Sequence, residues 1–104
     1  MKILFLGDVV GLSGCRKITK DLLGQIQKNN IDFVIINAEN ADDTGVGLTK
    51  EICQNFFENG VDVITTGNHV WDQKDIMNFI DKENRLLRPK NLFEPAPGRG
   101  FEIY

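Results

Sequence analysis

Apolar residues follow two rhythms along this chain, short unbroken runs and recurrences at every fourth position, and the alternation between them outlines a fold. Lys2 to Leu6, Phe33-Val34-Ile35-Ile36 and Val61 to Thr65 are β-rich runs. The run at 33–36 is continuous rather than alternating, which predicts a strand covered on both faces in a parallel sheet. Ile18, Leu22 and Ile26 instead recur every fourth residue among Lys and Asp, which predicts a helix from about Cys15 to Lys28. Gly24 weakens that helix by about 1 kcal/mol relative to alanine without breaking it. Thr49 is placed to cap a second helix that turns Ile52 and Phe56 inward, with Gly60 just beyond its end. Asp72 is placed to cap a short third helix whose Ile76, Phe79 and Ile80 face the core. Gly7, Gly11 and Gly14 mark a loop after the first strand, and Asp42 to Gly47 another after the second.

Strands and helices in the order βαβαβα define the α/β class with a mostly parallel sheet. Beyond Arg85 lie all three prolines, Pro89, Pro95 and Pro97, and a last strand is expected at Gly100 to Tyr104. A length of 104 residues allows one domain. A sheet of three or four parallel strands leaves two edges and part of a face to be covered. Residues 1–104 therefore read as a single, partial domain. Its expected cover is a second chain, another copy, or the rest of a longer protein.

Composition narrows the partners. Twelve Lys plus Arg against fifteen Asp plus Glu leave a net charge of −3, which argues against duplex nucleic acid held by phosphate neutralisation. The run Ile3 to Leu6 is too short for a signal-peptide core or a membrane span, so a cytoplasmic address without membrane contact is expected. Cys15 and Cys53 form no CxxC pair and are expected to be reduced, packed and inert.

The candidate chemistry gathers where the apolar runs stop. In an open parallel sheet the ligand site lies beyond the carboxyl ends of the strands. The first strand ends in Asp8, the second in Glu39 and Asn40, the third in Asn68 and His69. Taken singly, each is a turn-forming polar residue; their convergence points to a metal site. Carboxylate and amide oxygens suit Mn²⁺, Mg²⁺ or Fe, and an imidazole extends the choice to Zn²⁺. A bridging carboxylate holds two cations about 3.5 to 4 Å apart, close enough to clamp one phosphoryl group. Cations of this kind supply the positive charge that an acidic chain lacks. Around this set, Asp72 either orients His69 or, as preferred here, caps its helix with Asp75 following. Asp42 and Asp43 read as a solvated turn. Trp71 either roofs the site or packs on the helix it precedes. Arg88 and Arg99 are expected to be solvated rather than to touch phosphate.

The segments ILFLGDVVG at 3–11, INAEN at 36–40 and TTGNHVWD at 65–72, with RPKN at 88–91 and PGRG at 97–100, cover nearly the whole chain. Together they resemble the calcineurin-like metallophosphoesterases, and within them the bacterial YmdB-like subgroup. The resemblance implies the first half of an αββα sandwich and a dinuclear site of divalent or trivalent ions, Mn, Fe, Mg or Zn. It implies that Asp8 binds one ion, Glu39 bridges both, and Asn40 and Asn68 bind one each. His69 would stand beside the substrate, stabilising charge on phosphoryl oxygens or protonating the leaving oxygen. The implied reaction is attack of metal-bound hydroxide on a small phosphodiester, a cyclic nucleotide in particular.

The chain departs from the pattern in three ways. Val10 stands where the wider superfamily has a histidine, and Ala38 where the subgroup usually has glycine. His69 is the single histidine, whereas the family draws further histidines, a His-x-His pair among them, from its second half. That shortage sustains a competing expectation, a non-catalytic remnant or interaction module of the same fold. A dinucleotide-binding half-domain is a third, carried by Gly7, Gly11 and Gly14. Their spacing is GxxxGxxG instead of GxGxxG, and Asp8 would put negative charge beside the pyrophosphate.

Overall fold

The computed structural model describes residues 1–104. Four strands, β1 (Ile3–Leu6), β2 (Phe33–Asn37), β3 (Val63–Thr65) and β4 (Leu86–Leu87), form one sheet in the order β1-β2-β3-β4, with every pairing parallel. Helices α1 (Gly11–Asn29), α2 (Lys50–Glu58) and the single turn α3 (Ile76–Phe79) fill the connections. The α/β class and the order of elements are those the apolar rhythms predict.

Register explains which residues make the core. Leu4 pairs with Val34, Leu6 with Ile36, Ile36 with Ile64, and Ile64 with Leu86, so these six line one face of the sheet. Against that face α1 lays Leu22, α2 lays Cys53 and Phe56, and the α3 region lays Ile76 and Ile80, all buried. Helices α1 and α2 also touch each other, which places both on this one face. Both cysteines are free and buried, and burial pushes each thiol above its ordinary value. The opposite face stays open at its β1 end, where Ile3 and Phe5 are 56% and 61% exposed. No helix is long and apolar enough to cross a membrane.

Local chemistry sets the helix ends. The Thr49 hydroxyl accepts from the Ile52 amide at 3.3 Å, the expected cap of α2. Gly60 follows at φ +96°, a left-handed angle that favours glycine. Helix α1 begins a full turn earlier than its apolar stripe suggests, at Gly11 with φ +64°. Its first turn carries no apolar repeat, and its N-cap, Val10, offers no side-chain cap, so nothing in the local pattern announces it. Asp72 is not the cap of α3: the position before that helix is Asp75, whose carboxylate accepts instead from the Lys50 amide at 3.1 Å.

The proline-rich end differs most from expectation. The fourth strand is Leu86–Leu87, and residues 100–104 form no strand. The outer edge of β3 is taken by Leu86 and Leu87 before the prolines begin, and the later segment meets the sheet only through a bridge of Arg99 to Leu87. Tyr104 then lies with its ring centroid 5.9 Å from that of Phe33 and donates to the Asn84 carbonyl.

Arg88, expected to be solvated, is 4% exposed and organises this end. Its guanidinium donates to the carbonyls of Pro89, Ala96 and Pro97 and to Glu94, a set that closes the proline loop from inside. Proline removes backbone donors but keeps carbonyls, and a five-donor fork is the side chain suited to satisfy several of them. Arg99 remains exposed and pairs with Glu102. Replacing Arg88→Ala is expected to lower unfolding free energy by about 2–3 kcal/mol, through lost charge-assisted bonds and stranded carbonyls. Arg88→Lys, lacking the fork, is expected to recover less than half of that in urea denaturation.

Candidate metal centre

The three strand ends meet because backbone bonds continue past the strands. Beyond β1, the Val9 amide donates to the Asn37 carbonyl at 3.1 Å and the Gly11 amide to the Asn40 carbonyl at 2.9 Å. This extends the β1–β2 pairing and brings Asp8 alongside Asn40. Beyond β2, the Ala38 amide donates to the Thr65 carbonyl at 3.1 Å, which ties the Glu39 loop to the end of β3.

Side chains reflect that scaffold. Asn40 Nδ2 donates to Asp8 Oδ2 at 2.7 Å. The carboxylate of Glu39 accepts from the backbone amide of His69 at 3.3 Å. Gly67 lies under the same carboxylate: a Cβ there would stand 2.6 Å from the Glu39 Cδ, so only glycine leaves the carboxylate its place. Asn68 is exposed on the same loop. Asp8 with Asn40, and Glu39 with the 67–69 loop, are thus two directly bonded pairs, joined through the adjacent residues Glu39 and Asn40.

One atom in the group lacks what burial demands. Asn40 Oδ1 is buried and has no hydrogen-bond partner, the one buried side-chain polar atom in the chain so placed. Stranding an acceptor costs about 1–3 kcal/mol. A cation beside it would supply the missing contact. The donor set, carboxylates and amide oxygens, is that of a hard cation, and Asp8, Glu39, Asn40 and Asn68 would be the residues to hold one. Only two carboxylates belong to the set, and nowhere do three His, Cys, Asp or Glu side chains converge. The residues fit a cation whose remaining coordination comes from outside them.

His69 is oriented from an unexpected side. Its Nδ1 lies 2.6 Å from Asp72 Oδ2, with both side chains little more than a third exposed. The pattern of a helix cap favours the other role for Asp72; the spacing of three residues in a turn is the signal that puts it beside the ring. An ionised carboxylate only accepts, so Nδ1 must carry the proton, which leaves Nε2 of the neutral ring as an acceptor. Trp71 is half-buried and packs against the apolar core.

Other residues near the strand ends are structural. Cys15 Sγ donates to the Ala41 carbonyl at 3.3 Å. Asp42 accepts from Thr44 and Gln73, forming a bonded turn rather than a merely solvated one. Gly47, at φ +80°, would set a Cβ 2.9 Å from the Gln73 side chain.

Fold and site together define a class of protein: an α/β domain with an all-parallel sheet whose strand-end loops gather carboxylate, amide and imidazole groups. The chain belongs to the YmdB-like protein family, whose model matches residues 4–104. It is 46% identical over 102 residues to a 2′,3′-cyclic-nucleotide 2′-phosphodiesterase of Bacillus subtilis (strain 168), a match covering 97% of this chain and 38% of that protein. A crystal structure of a phosphatase from Mycoplasma pneumoniae superposes with a TM-score of 0.88 at 38% identity, over 100% of this chain and 39% of the other. The crystal structure of a hypothetical protein from Thermus thermophilus gives 0.86 at 36% identity, over 99% and 40%. The chain therefore spans about two-fifths of the length of these relatives.

Because the chain has a single histidine, its ring tautomer can be read without assignment ambiguity. Long-range ¹H–¹⁵N correlation spectra at neutral pH are expected to show the Nδ1-protonated form in the native chain and a shift toward the Nε2-protonated form in Asp72→Ala. Identical patterns in the two proteins would mean that the carboxylate does not order the ring.

Proposed function

We propose that this chain carries the strand-end half of a metal-dependent phosphodiesterase site whose substrates are small phosphodiesters, cyclic nucleotides foremost. The observation that carries the reading is the buried, unpartnered Asn40 Oδ1 beside Asp8, next in sequence to a Glu39 carboxylate given room by Gly67. In this reading Asp8 would hold one ion, Glu39 would be shared between two, and Asn40 and Asn68 would each offer an amide oxygen. Bound Mn, Fe, Mg or Zn ions would supply positive charge to the phosphoryl oxygens and lower the pKa of a water. The substrate class follows the activity named for the Bacillus subtilis relative, with which the chain shares 46% of its residues over the matched length.

The chain's own residues then have separable tasks. Asp8 and Glu39 concentrate negative charge at one edge of the sheet, where an anionic ester would be repelled and a cation retained. Asn40 and Asn68 add neutral oxygens, which keep affinity without further raising that charge. His69, with Nδ1–H engaged by Asp72, would present Nε2 to the phosphoryl or leaving oxygen, and only the doubly protonated ring, in which Nε2 also carries a proton, would donate to developing charge there or protonate the leaving oxygen. Backbone bonds from Val9, Gly11 and Ala38 fix these groups before any ligand arrives, which limits the ordering cost of binding.

A second reading has an observation of its own. Since no three His, Cys, Asp or Glu side chains converge, the chain alone would bind a cation as an interaction module without turning over substrate. Manganese binding followed by electron paramagnetic resonance, alongside hydrolysis of bis(p-nitrophenyl) phosphate, separates the two. The phosphodiesterase reading expects hydrolysis that requires Mn²⁺, ends with chelator, and falls by about two orders of magnitude in Glu39→Gln. Binding without hydrolysis selects the module. Hydrolysis that survives both chelator and Glu39→Gln would sink both.

A further inference from the structure

The loop 42–47, between β2 and α2, is closed on itself and then fastened to the turn that carries His69. Within the loop, the Gly45 amide donates to the Asp42 carbonyl at 2.8 Å and the Asp42 amide to the Gly47 carbonyl at 2.9 Å. The Asp42 carboxylate accepts from the Thr44 amide and hydroxyl at 3.1 and 2.8 Å. Across from it stands half-buried Gln73, whose Nε2 donates to Asp42 Oδ2 at 3.1 Å, to Thr44 Oγ1 at 3.3 Å and to the Val46 carbonyl at 3.1 Å. A carboxylate and a carbonyl only accept, so the Gln73 amide has to present its nitrogen here and share its hydrogens among these oxygens.

Gly47 carries this fastening back to Glu39. Its amide donates to the Glu39 carbonyl. It is buried against residues 72 and 73, where a Cβ would stand 3.1 Å from Asp72 Cβ and 2.9 Å from Gln73 Cγ. On the far side of the same turn, Asp72 holds the His69 ring, and the His69 amide donates to the Glu39 carboxylate. Glu39 is thus gripped twice, at its backbone carbonyl by Gly47 and at its carboxylate by His69, and the two grips are joined through Asp72 and Gln73. The side-chain bonds of that joint all come from Gln73. A bond from the Lys50 amide to Asp75 also ties these segments, but at the start of α2 rather than in the loop.

We infer that Gln73 is a positioning residue: its amide latches the loop 42–47 to the turn at 69–73 and so fixes the Glu39 carboxylate relative to the His69 ring. The bearing of that placement on chemistry rests on the phosphodiesterase reading, in which Glu39 would hold cations and His69 would face the phosphoryl group. The latch itself does not. Groups that act together need holding to within about 0.5 Å. Glu39 and His69 both stand in turns, where the ladder of the sheet no longer fixes them. A neutral amide suits position 73. A carboxylate there would face Asp42 with like charge and nothing to donate, and an apolar side chain would leave the Asp42 and Val46 oxygens without this donor.

The test compares Gln73→Met, which keeps the length and loses the donors, with Gln73→Lys, whose ammonium brings donors back to the same oxygens. Amide exchange is followed by NMR without added metal, and Mn²⁺ affinity by electron paramagnetic resonance. In Gln73→Met the Gly47 and His69 amides are expected to exchange at least about tenfold faster, while the Ile64 amide, bonded within the sheet to the Arg85 carbonyl, keeps its native rate. Mn²⁺ binding is expected to weaken by about tenfold. Gln73→Lys is expected to restore both. Exchange that rises equally at Ile64 would mean general destabilisation and overturns the positioning role. Native exchange at Gly47 and His69 in Gln73→Met overturns it as well, as do equal losses in Gln73→Met and Gln73→Lys. Should Gln73→Met fail to fold, Asp42→Ala removes the acceptor on the loop side instead, and native exchange of the two amides there has the same force. If the native chain binds Mn²⁺ and Gln73→Met binds it equally well, the latch does not serve the site and the inference fails. A native chain that takes up no Mn²⁺ tells against the phosphodiesterase reading, and the exchange rates then decide the latch alone.

Discussion

Parallel pairing of β1 with β2 and of β2 with β3 is the constraint from which the rest follows. Parallel strands all finish at one edge, and in this chain the pairing runs on through the Val9, Gly11 and Ala38 amides into the loops beyond. Three segments separated by about thirty residues each are thereby held in register at the point where their apolar character ends. The sheet does not need the site in order to form: its energy lies in Val34, Ile36, Ile64, Cys53 and Phe56, all buried on the helix side. Polar groups unsuited to a core are tolerated at the strand ends because a separate core holds the ends in place.

What was legible in the sequence follows the same division. Continuous apolar runs and a four-residue stripe each report burial, and burial is what drives these elements together, so β1, β2, β3, α2 and the body of α1 could be read from pattern alone. The candidate residues Asp8, Glu39, Asn40, Asn68 and His69 stand out in the sequence because they follow closely on those runs. Features decided by contact across the chain were not. The start of α1 at Gly11 depends on the Asn40 carbonyl, β4 is only two residues long, and Arg88 is buried because the carbonyls of a proline loop surround it. A guanidinium among prolines has no periodicity to reveal it.

Asp72 shows how one local rule displaces another. An aspartate four residues before the apolar trio of α3 satisfies the pattern of a helix cap, and its position three after His69 satisfies the geometry of a turn contact. The turn wins because residues 69–72 close a bonded turn of their own, with the Asp72 amide donating to the His69 carbonyl at 3.1 Å. Helix α3, a single turn with no side-chain cap, has little energy with which to compete.

The acidity of the chain and the phosphodiester substrate proposed for it are compatible because of where the charge sits. A net charge of −3 spread over the surface repels an anion weakly and is screened within about 8 Å at physiological salt. At the strand ends, where Asp8 and Glu39 lie on neighbouring loops, a bound cation would reverse the local sign. The same local logic explains the stranded Asn40 oxygen. Its amide nitrogen is committed to Asp8, so the oxygen has no route to relief by rotation, and its cost falls on the folded state unless a ligand meets it. A group that is fixed, buried and unpartnered next to two carboxylates is a defect for stability and an asset for cation binding. As the one buried side-chain polar atom without a partner, it is the strongest physical argument for the ligand site proposed at the strand ends.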